Sequence, residues 1–500
     1  MADTVDERVG AADDQAGAEV AADDRLDRGL RRFIAVVLLG GILGILDGSV
    51  VAVGVHTLAA DLDSSVTTIG WVSTAYLLTL TAMIPITAWA VDRVGSRRLW
   101  LGGLALFLAA SLASGLAWNV GALVGFRVLQ GVGAGILDPL VLTLLARAAG
   151  PARAGRVMGL MGMVLSAGPV LGLVVGGLVL EAGSWRWMFL INLPIGALAF
   201  AGALRVLPAD PPRGQQMGDR LDVVGVALFG PGFAALVLAL SQAGERSAVA
   251  VWQVLVPGAL GLALLVGYGL HAAGLVRRRR APLIDLRLFA NPRFTAAVVV
   301  MNLVGLATFA NLFALPLYYQ QYGHGSLAAG LLAAPFAVGA IIAMPLSGRL
   351  SDRLGARELA RGGALVAAVG GLVLTRVGAS TGEVWPAIAA LVVGLGLGFV
   401  GAPTMGSLYR VLPPPLVAQG SSVLYILNQL GAAIGIAVVT LILAVVGRDD
   451  LIAGFHGVSW FAIAALAVIL AATPLLPGRP DNTAALDAAT EPAEVPRQSG

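Results

Sequence analysis

About fourteen apolar runs of membrane-crossing length follow one another along this 500-residue chain, with most of the arginines in the short loops between them. They fall near 33–55, 71–91, 99–118, 121–144, 155–180, 187–207, 221–243, 250–275, 294–319, 327–350, 360–378, 385–409, 418–446 and 457–478. About twenty apolar residues span a bilayer as a helix, so the fold class this pattern predicts is an all-α polytopic membrane protein. Composition agrees, since 58% of the residues are hydrophobic and 12% charged, against roughly 25% charged in a soluble domain.

Several function classes are excluded early. Cysteine is absent, so there is neither a disulfide nor a thiolate nucleophile nor a cysteine-ligated metal. The chain has no lysine, hence no phosphate-binding loop of the Gly-x-x-x-x-Gly-Lys kind, and ATP-driven transport is unsupported. His56, His271, His324 and His456 are scattered without metal-ligand spacing, so no metal and no cofactor is expected. A net charge of +3 spread over loops offers no face for nucleic acid. No nucleophile–base set marks an enzyme.

Residues 1–32 are rich in acids (Asp3, Asp6, Glu7, Asp13, Asp14, Asp23, Asp24, Asp27) and read as a disordered tail, as do residues 479–500. Arg31 and Arg32 precede the first apolar run, which continues too far and lacks the cleavage pattern of a signal peptide. With helices alternating in direction, Arg93, Arg97, Arg98, Arg147, Arg153, Arg156, Arg205, Arg213, Arg220, Arg277 to Arg280, Arg349, Arg353, Arg357 and Arg361 share one side. The positive-inside bias makes that side cytoplasmic and puts both termini there, although Arg186, Arg246, Arg376 and Arg448 fall opposite.

The sequence repeats itself. Ala88-Trp-Ala-Val-Asp92-Arg93-Val-Gly95-Ser-Arg97 follows the second run, and Gly348-Arg-Leu-Ser-Asp352-Arg353-Leu-Gly355-Ala-Arg357 follows the tenth. Six runs on either side of an inserted pair predict an N-terminal six-helix bundle at 33–207, a linker with two extra helices and a basic loop at 208–293, and a C-terminal six-helix bundle at 294–478. In such repeats the substrate site lies near the midplane between halves.

These loops resemble the signature Gly-x-x-x-Asp-Arg-x-Gly-x-Arg/Lys of the major facilitator superfamily, the first copy departing from it at Ala88. Further stretches are similar to its fourteen-spanner drug:proton antiporters: Leu46-Asp47-Gly-Ser-Val-Val in helix one, Arg127-Val-Leu-Gln130-Gly131-Val-Gly133 in helix four, and Gly168-Pro169-Val-Leu-Gly172 in helix five. The most specific is Trp185-Arg186-Trp187-Met-Phe189-Leu-Ile191-Asn192-Leu-Pro194-Ile-Gly196, and Asp222-Val-Val-Gly225, Pro282 to Phe289 and Asn428-Gln429-Leu-Gly431 extend the likeness. The resemblance implies a major facilitator fold. It also implies proton-driven export of drugs, antibiotics or other small amphipathic molecules across the cytoplasmic membrane, with protons and lipid as the other partners. Oligomeric state stays open, a monomer being compatible with it.

Asp47, Arg127 and Asp138 are the ionisable residues clearly inside spans, where each costs a few kcal/mol if unpaired. Counting from the outer helix ends at about 1.5 Å per residue puts Asp47 and Arg127 both roughly 10–12 Å deep. They are expected to pair, either as a proton-coupling site or as a static ion pair. Asp138 lies on the same face of helix four roughly 16 Å deeper, on a small-residue stripe, and is expected either to join Asp47 and Arg127 in proton coupling through a solvated groove or to serve close helix packing. Asp92, Arg93, Gly95 and Arg97, with Asp352, Arg353, Gly355 and Arg357, are expected to form conformational latches, or simply to mark topology. Gly168, Pro169 and Gly172 form an expected hinge matching the family's antiporter signature, with Leu173 where a second glycine is usual. Tyr76, Gln130, Asn311 and Asn428 are candidates for the substrate cavity, among other polar residues in spans such as Asn302 and Tyr425. A dedicated exporter of one metabolite or self-made antibiotic, a proton-coupled importer and a non-transporting sensor on the same fold are the alternatives.

Overall fold

The repeated Gly95 and Gly355 show how the local sequence sets the architecture. Each sits between two helices at positive φ, 96° and 81°, a conformation open to glycine and costly for residues with a Cβ. Each therefore ends one apolar helix and starts the next in a tight reversal.

The computed structural model describes residues 27–181, 183–210, 221–243, 251–378, 381–447 and 450–478. Arg213, Arg220, Arg246, Arg448 and the two tails, apart from residues 27–32, lie outside the described residues. Among those described there is no strand. The long helices are α1 (Arg28–Val53), α2 (Val66–Val94), α3 (Ser96–Gly115), α4 (120–149), α5 (151–181), α6 (Asn192–Val206), α7 (Val223–Ala243) and α8 (Val251–Arg277). They continue with α9 (Pro292–Gln321), α10 (Ser326–Leu354), α11 (Ala356–Leu374), α12 (Val384–Val411), α13 (Val417–Val445) and α14 (Leu451–Ala472). Helices α4 and α5 are two helices that follow each other across a kink at Gly150, where φ is 65° and ψ 173°.

Among the described residues twelve helices are long and apolar enough to cross a membrane, counting the stretch Val120–Glu181 once. Counted as its two limbs, and with the 19-residue α11 whose first turns carry Arg357, Glu358 and Arg361, the helices make about fourteen crossings. Caps start several of them at the membrane edge: Asp27 on α1, Ser65 on α2, Asn291 followed by Pro292 on α9, and Asp450 on α14. Helix α1 thus begins at Arg28, inside the stretch expected to belong to the tail.

Helices α1 to α6 pack on one another, as do α9 to α14, while α7 and α8 pair outside both groups with α7 against α2 and α13. Close approach in both bundles depends on glycine: a Cβ on Gly133 would lie 2.8 Å from the backbone of Phe107, and one on Gly363 2.6 Å from that of Gly396. The inserted pair is tied down by polar contacts. Asp222 accepts from the N–H of Gly225 and faces His271 of α8 at 2.8 Å, and Gln419 of α13 accepts from the N–H of Asp285 at 3.0 Å. Asp285 lies outside the spans, and the guanidinium of Arg287 beside it holds its carboxyl below the usual carboxylate range.

Candidate functional site: a buried ionic cluster and the contacts between halves

Asp47 of α1 and Arg127 of α4 form an ion pair with neither side chain exposed at all, as the depth count predicts. The rest of the cluster divides the carboxylate unequally. Arg127 Nη1 donates to Asp47 Oδ2. Asp47 Oδ1 instead accepts two amide N–H groups, from Gln130 Nε2 and Asn192 Nδ2, each at 2.8 Å. Ser111 of α3 accepts from both amides, at 3.2 Å from Gln130 and 3.0 Å from Asn192, and its hydroxyl donates to the carbonyl of Phe189 at 2.9 Å. Gln130 Oε1 in turn accepts from Arg127 Nη1 at 2.9 Å, and Arg127 Nε donates to the Val72 carbonyl at 3.1 Å. The guanidinium also lies over the Tyr76 ring, 4.0 Å from its centre.

This geometry limits where chemistry can occur. Three donors thus hold the carboxylate, two amides on Oδ1 and the guanidinium on Oδ2, which leaves Oδ2 the less occupied oxygen.

Tyr76 and Gln130, expected to line a substrate cavity, are spent in this cluster: both are buried, and the Tyr76 hydroxyl donates to the Gly44 carbonyl at 3.1 Å. Asn311 is buried and donates to Ala307 within its own helix at 2.8 Å. Asn428 donates to the Met301 carbonyl at 3.1 Å while Asn302 donates to the Leu427 carbonyl at 2.6 Å, a reciprocal pair that fastens α13 to α9. Asn192 and Ser111 belong to the cluster without being singled out by sequence reasoning. Asn192 stands inside the Trp185–Gly196 stretch and is reachable from it; nothing in the local sequence marks Ser111.

The two repeated loops are built alike but used differently. Asp352 accepts from the backbone N–H groups of Gly155 and Arg156 at 2.9 and 3.0 Å, near the start of α5 in the other half, and pairs with Arg410 Nη2 at 2.7 Å. Its counterpart Asp92, among the described residues, meets Arg147 of its own half at 3.7 Å, with both side chains more than a third exposed. Asp210, after α6, caps α3 in the first copy, accepting from the N–H groups of Arg97 and Arg98 at 2.9 Å each. Arg93 and Arg353 lie at the ends of α2 and α10.

Further bonds between halves run from Ser422 to the Ile84 carbonyl at 3.3 Å, from Ser166 to the Met344 sulfur at 3.5 Å, and from the Tyr425 hydroxyl to Asp138 Oδ2. Each of these residues lies at or beyond the middle of its helix, toward the end that carries the arginine-rich loops. Gly168, Pro169 and Gly172 sit within the continuous helix α5, and a Cβ on Gly172 would lie 2.9 Å from the Leu46 carbonyl, so this stretch seats α5 directly beside Asp47.

Two groups of six apolar helices, joined through Asp352 and through Asp138 with Tyr425, and a buried ion pair inside the first group have the build of a membrane transporter. The sequence profile of the Major Facilitator Superfamily matches residues 37–436, and the chain belongs to that family. It is 34% identical over 479 residues, 95% of this chain and 84% of the other, to a protein of Mycobacterium tuberculosis (strain ATCC 25618 / H37Rv) named multidrug resistance protein B homolog. It is 30% identical over 331 residues, 65% of this chain and 69% of the other, to the riboflavin transporter RibZ of Clostridioides difficile (strain 630). The fold is also that of the proton:xylose symporter XylE, with a TM-score of 0.63 at 15% identity over 88% of this chain and 94% of that one.

Proposed function

We propose that this protein is a proton-coupled antiporter that exports drugs, antibiotics or other small amphipathic molecules across the cytoplasmic membrane by alternating access between its two halves. The observation that carries this reading is the fully buried Asp47–Arg127 pair. A buried carboxylate and guanidinium are expensive in a membrane, and here the less occupied carboxylate oxygen is the one the guanidinium holds. Exchange of Arg127 for a proton on Asp47 is the coupling step. It gives the two conformations unequal proton affinity, without which a proton gradient shifts no equilibrium. The arginine-rich loops face the cytoplasm, with the Asp352 latch closing that side and the Gly168–Gly172 stretch of α5 bending during the switch.

The relative named as a multidrug resistance protein B homolog, which aligns over nearly the whole chain, supports broad export. The relative named as a riboflavin transporter supports a second reading, a dedicated exporter of one metabolite.

Acid-loaded inverted membrane vesicles test the proposal by proton release on addition of ethidium, tetraphenylphosphonium and a series of antibiotics. Release on adding one of these compounds, lost in Asp47→Asn, is the expected result. Proton-driven export that survives Asp47→Asn would overturn the assignment of the coupling site. Silence to ethidium and tetraphenylphosphonium, with a response to one antibiotic or one flavin alone, would favour the dedicated exporter.

A further inference from the structure

Among the bonds that join the halves, the one from Tyr425 of α13 sets a hydroxyl of one half against a buried carboxylate of the other, Asp138 of α4, which is 3% exposed. The carboxylate has little other room. A Cβ on Gly44 of α1 would lie 2.9 Å from Asp138 Oδ1, so the backbone of α1 closes over it. The titratable and charged groups facing this pocket are Tyr76 of α2 and Tyr425 itself, with Asp47 of α1 and Arg127 of α4 beyond them. Tyr76 is committed to the Gly44 carbonyl, and Asp47 and Arg127 to each other. Tyr425 is thus the hydrogen-bond donor that answers Asp138.

A phenol donating to a carboxylate makes a charge-assisted bond, roughly twice as strong as the neutral bond left once the acid is protonated. This bond spans the interface on the side where Asp352 also bridges the halves. We infer that Tyr425 is a positioning residue through which the C-terminal half responds to the charge of Asp138: ionised Asp138 holds the halves together at the arginine-rich side, and a proton on Asp138 lets them part. The inference rests on the antiport reading and deepens it. In antiport, a proton taken up from outside must favour the state open to the cytoplasm, and a bond that protonation weakens on the cytoplasmic side does so.

The absence of cysteine makes the test direct. Val94→Cys at the end of α2 and Leu354→Cys at the end of α10, both exposed positions, carry spin labels in the otherwise intact full-length chain. Double electron–electron resonance then reads the separation of the halves at the arginine-rich side between pH 8.5 and pH 5. The long-distance population is expected to grow as the pH falls in the parent. In Tyr425→Phe, which keeps the ring and its packing, that population should already be raised about threefold or more at pH 8.5, with a flattened pH response. Asp138→Asn should behave likewise, while Asp92 and Asp352 are untouched in both variants. A parent whose distances ignore pH, or a Tyr425→Phe protein with the parent's pH response, would refute the inference. Substrate-driven proton release measured on the same proteins separates the two claims. Antiport with pH-insensitive distances refutes the clamp alone, and a working clamp without antiport refutes the antiport reading alone.

Discussion

Arg97 and Arg357, which occupy the same place in the two repeated loops, each donate to a backbone carbonyl near the last helix of their own half: Arg97 Nη2 to Leu204 at 2.7 Å and Arg357 Nε to Leu476 at 3.2 Å. The repeat is therefore structural as well as textual, each arginine closing the ring of its own six helices. Replacing either by alanine should lower stability by about 1 kcal/mol, the usual net value of one hydrogen bond, seen as a lower Tm in detergent. If both variants melt with the parent, the arginines mark topology only.

The aspartates of the same loops should diverge. Asp352 holds two backbone N–H groups of the opposite half and Arg410, bonds to a charged group that are worth about 1.5–3 kcal/mol each. Asp92 has one long, solvent-exposed ion pair, worth about 0–1 kcal/mol. Asp352→Asn is expected to cut transport about tenfold or more by releasing the arginine-rich side, and Asp92→Asn to cut it less than about threefold. Equal losses in vesicle transport rates would show that the two latches act alike despite their unequal contacts.

Much of the fold could be read from the sequence because apolar run length and loop arginines report on the membrane directly. The gap between runs four and five predicts a loop, and the structure puts there a kink at Gly150, whose φ of 65° and ψ of 173° are non-helical. The Asp47–Arg127 pair was reachable because depth along two antiparallel helices can be counted. What was out of reach depends on rotation and on the docking of one half on the other. Counting cannot tell that Gln130 faces Asp47 rather than a cavity, that Asn192 and Ser111 complete the cluster, or that Tyr425 arrives opposite Asp138. The two loop copies differ for a like reason: their sequences match, but only Asp352 meets a helix start across the interface.

Glycine spacing in α5 separates contact from mere flexibility. A Cβ on Gly172 would lie 2.9 Å from the Leu46 carbonyl, whereas one on Gly177 would meet nothing within 4 Å. Gly172→Ala should push α5 off α1 at a cost of about 1–3 kcal/mol and slow transport. Gly177→Ala should be neutral or slightly stabilising, as a helix position gaining alanine usually is. Thermal unfolding of the two proteins side by side decides this, and identical behaviour would mean the Gly168–Gly172 stretch is not a packing seam.

The buried pair itself predicts a rescue. Arg127→Gln leaves Asp47 as an unpaired charge with no exposure, a change that costs about 3–5 kcal/mol when one partner of a buried pair is removed. Much of that cost is the stranded carboxylate rather than the lost attraction. The double variant Arg127→Gln with Asp47→Asn should therefore recover most of the stability, because the introduced asparagine keeps a carbonyl oxygen to accept from Gln130 and Asn192 and carries no charge. Transport should stay absent in the double variant, since nothing remains at the cluster to take up a proton. A double variant as unstable as Arg127→Gln alone would instead mean that Arg127 matters chiefly for its bond to the Val72 carbonyl and its packing on Tyr76, and that the charge of Asp47 is compensated by the two amides.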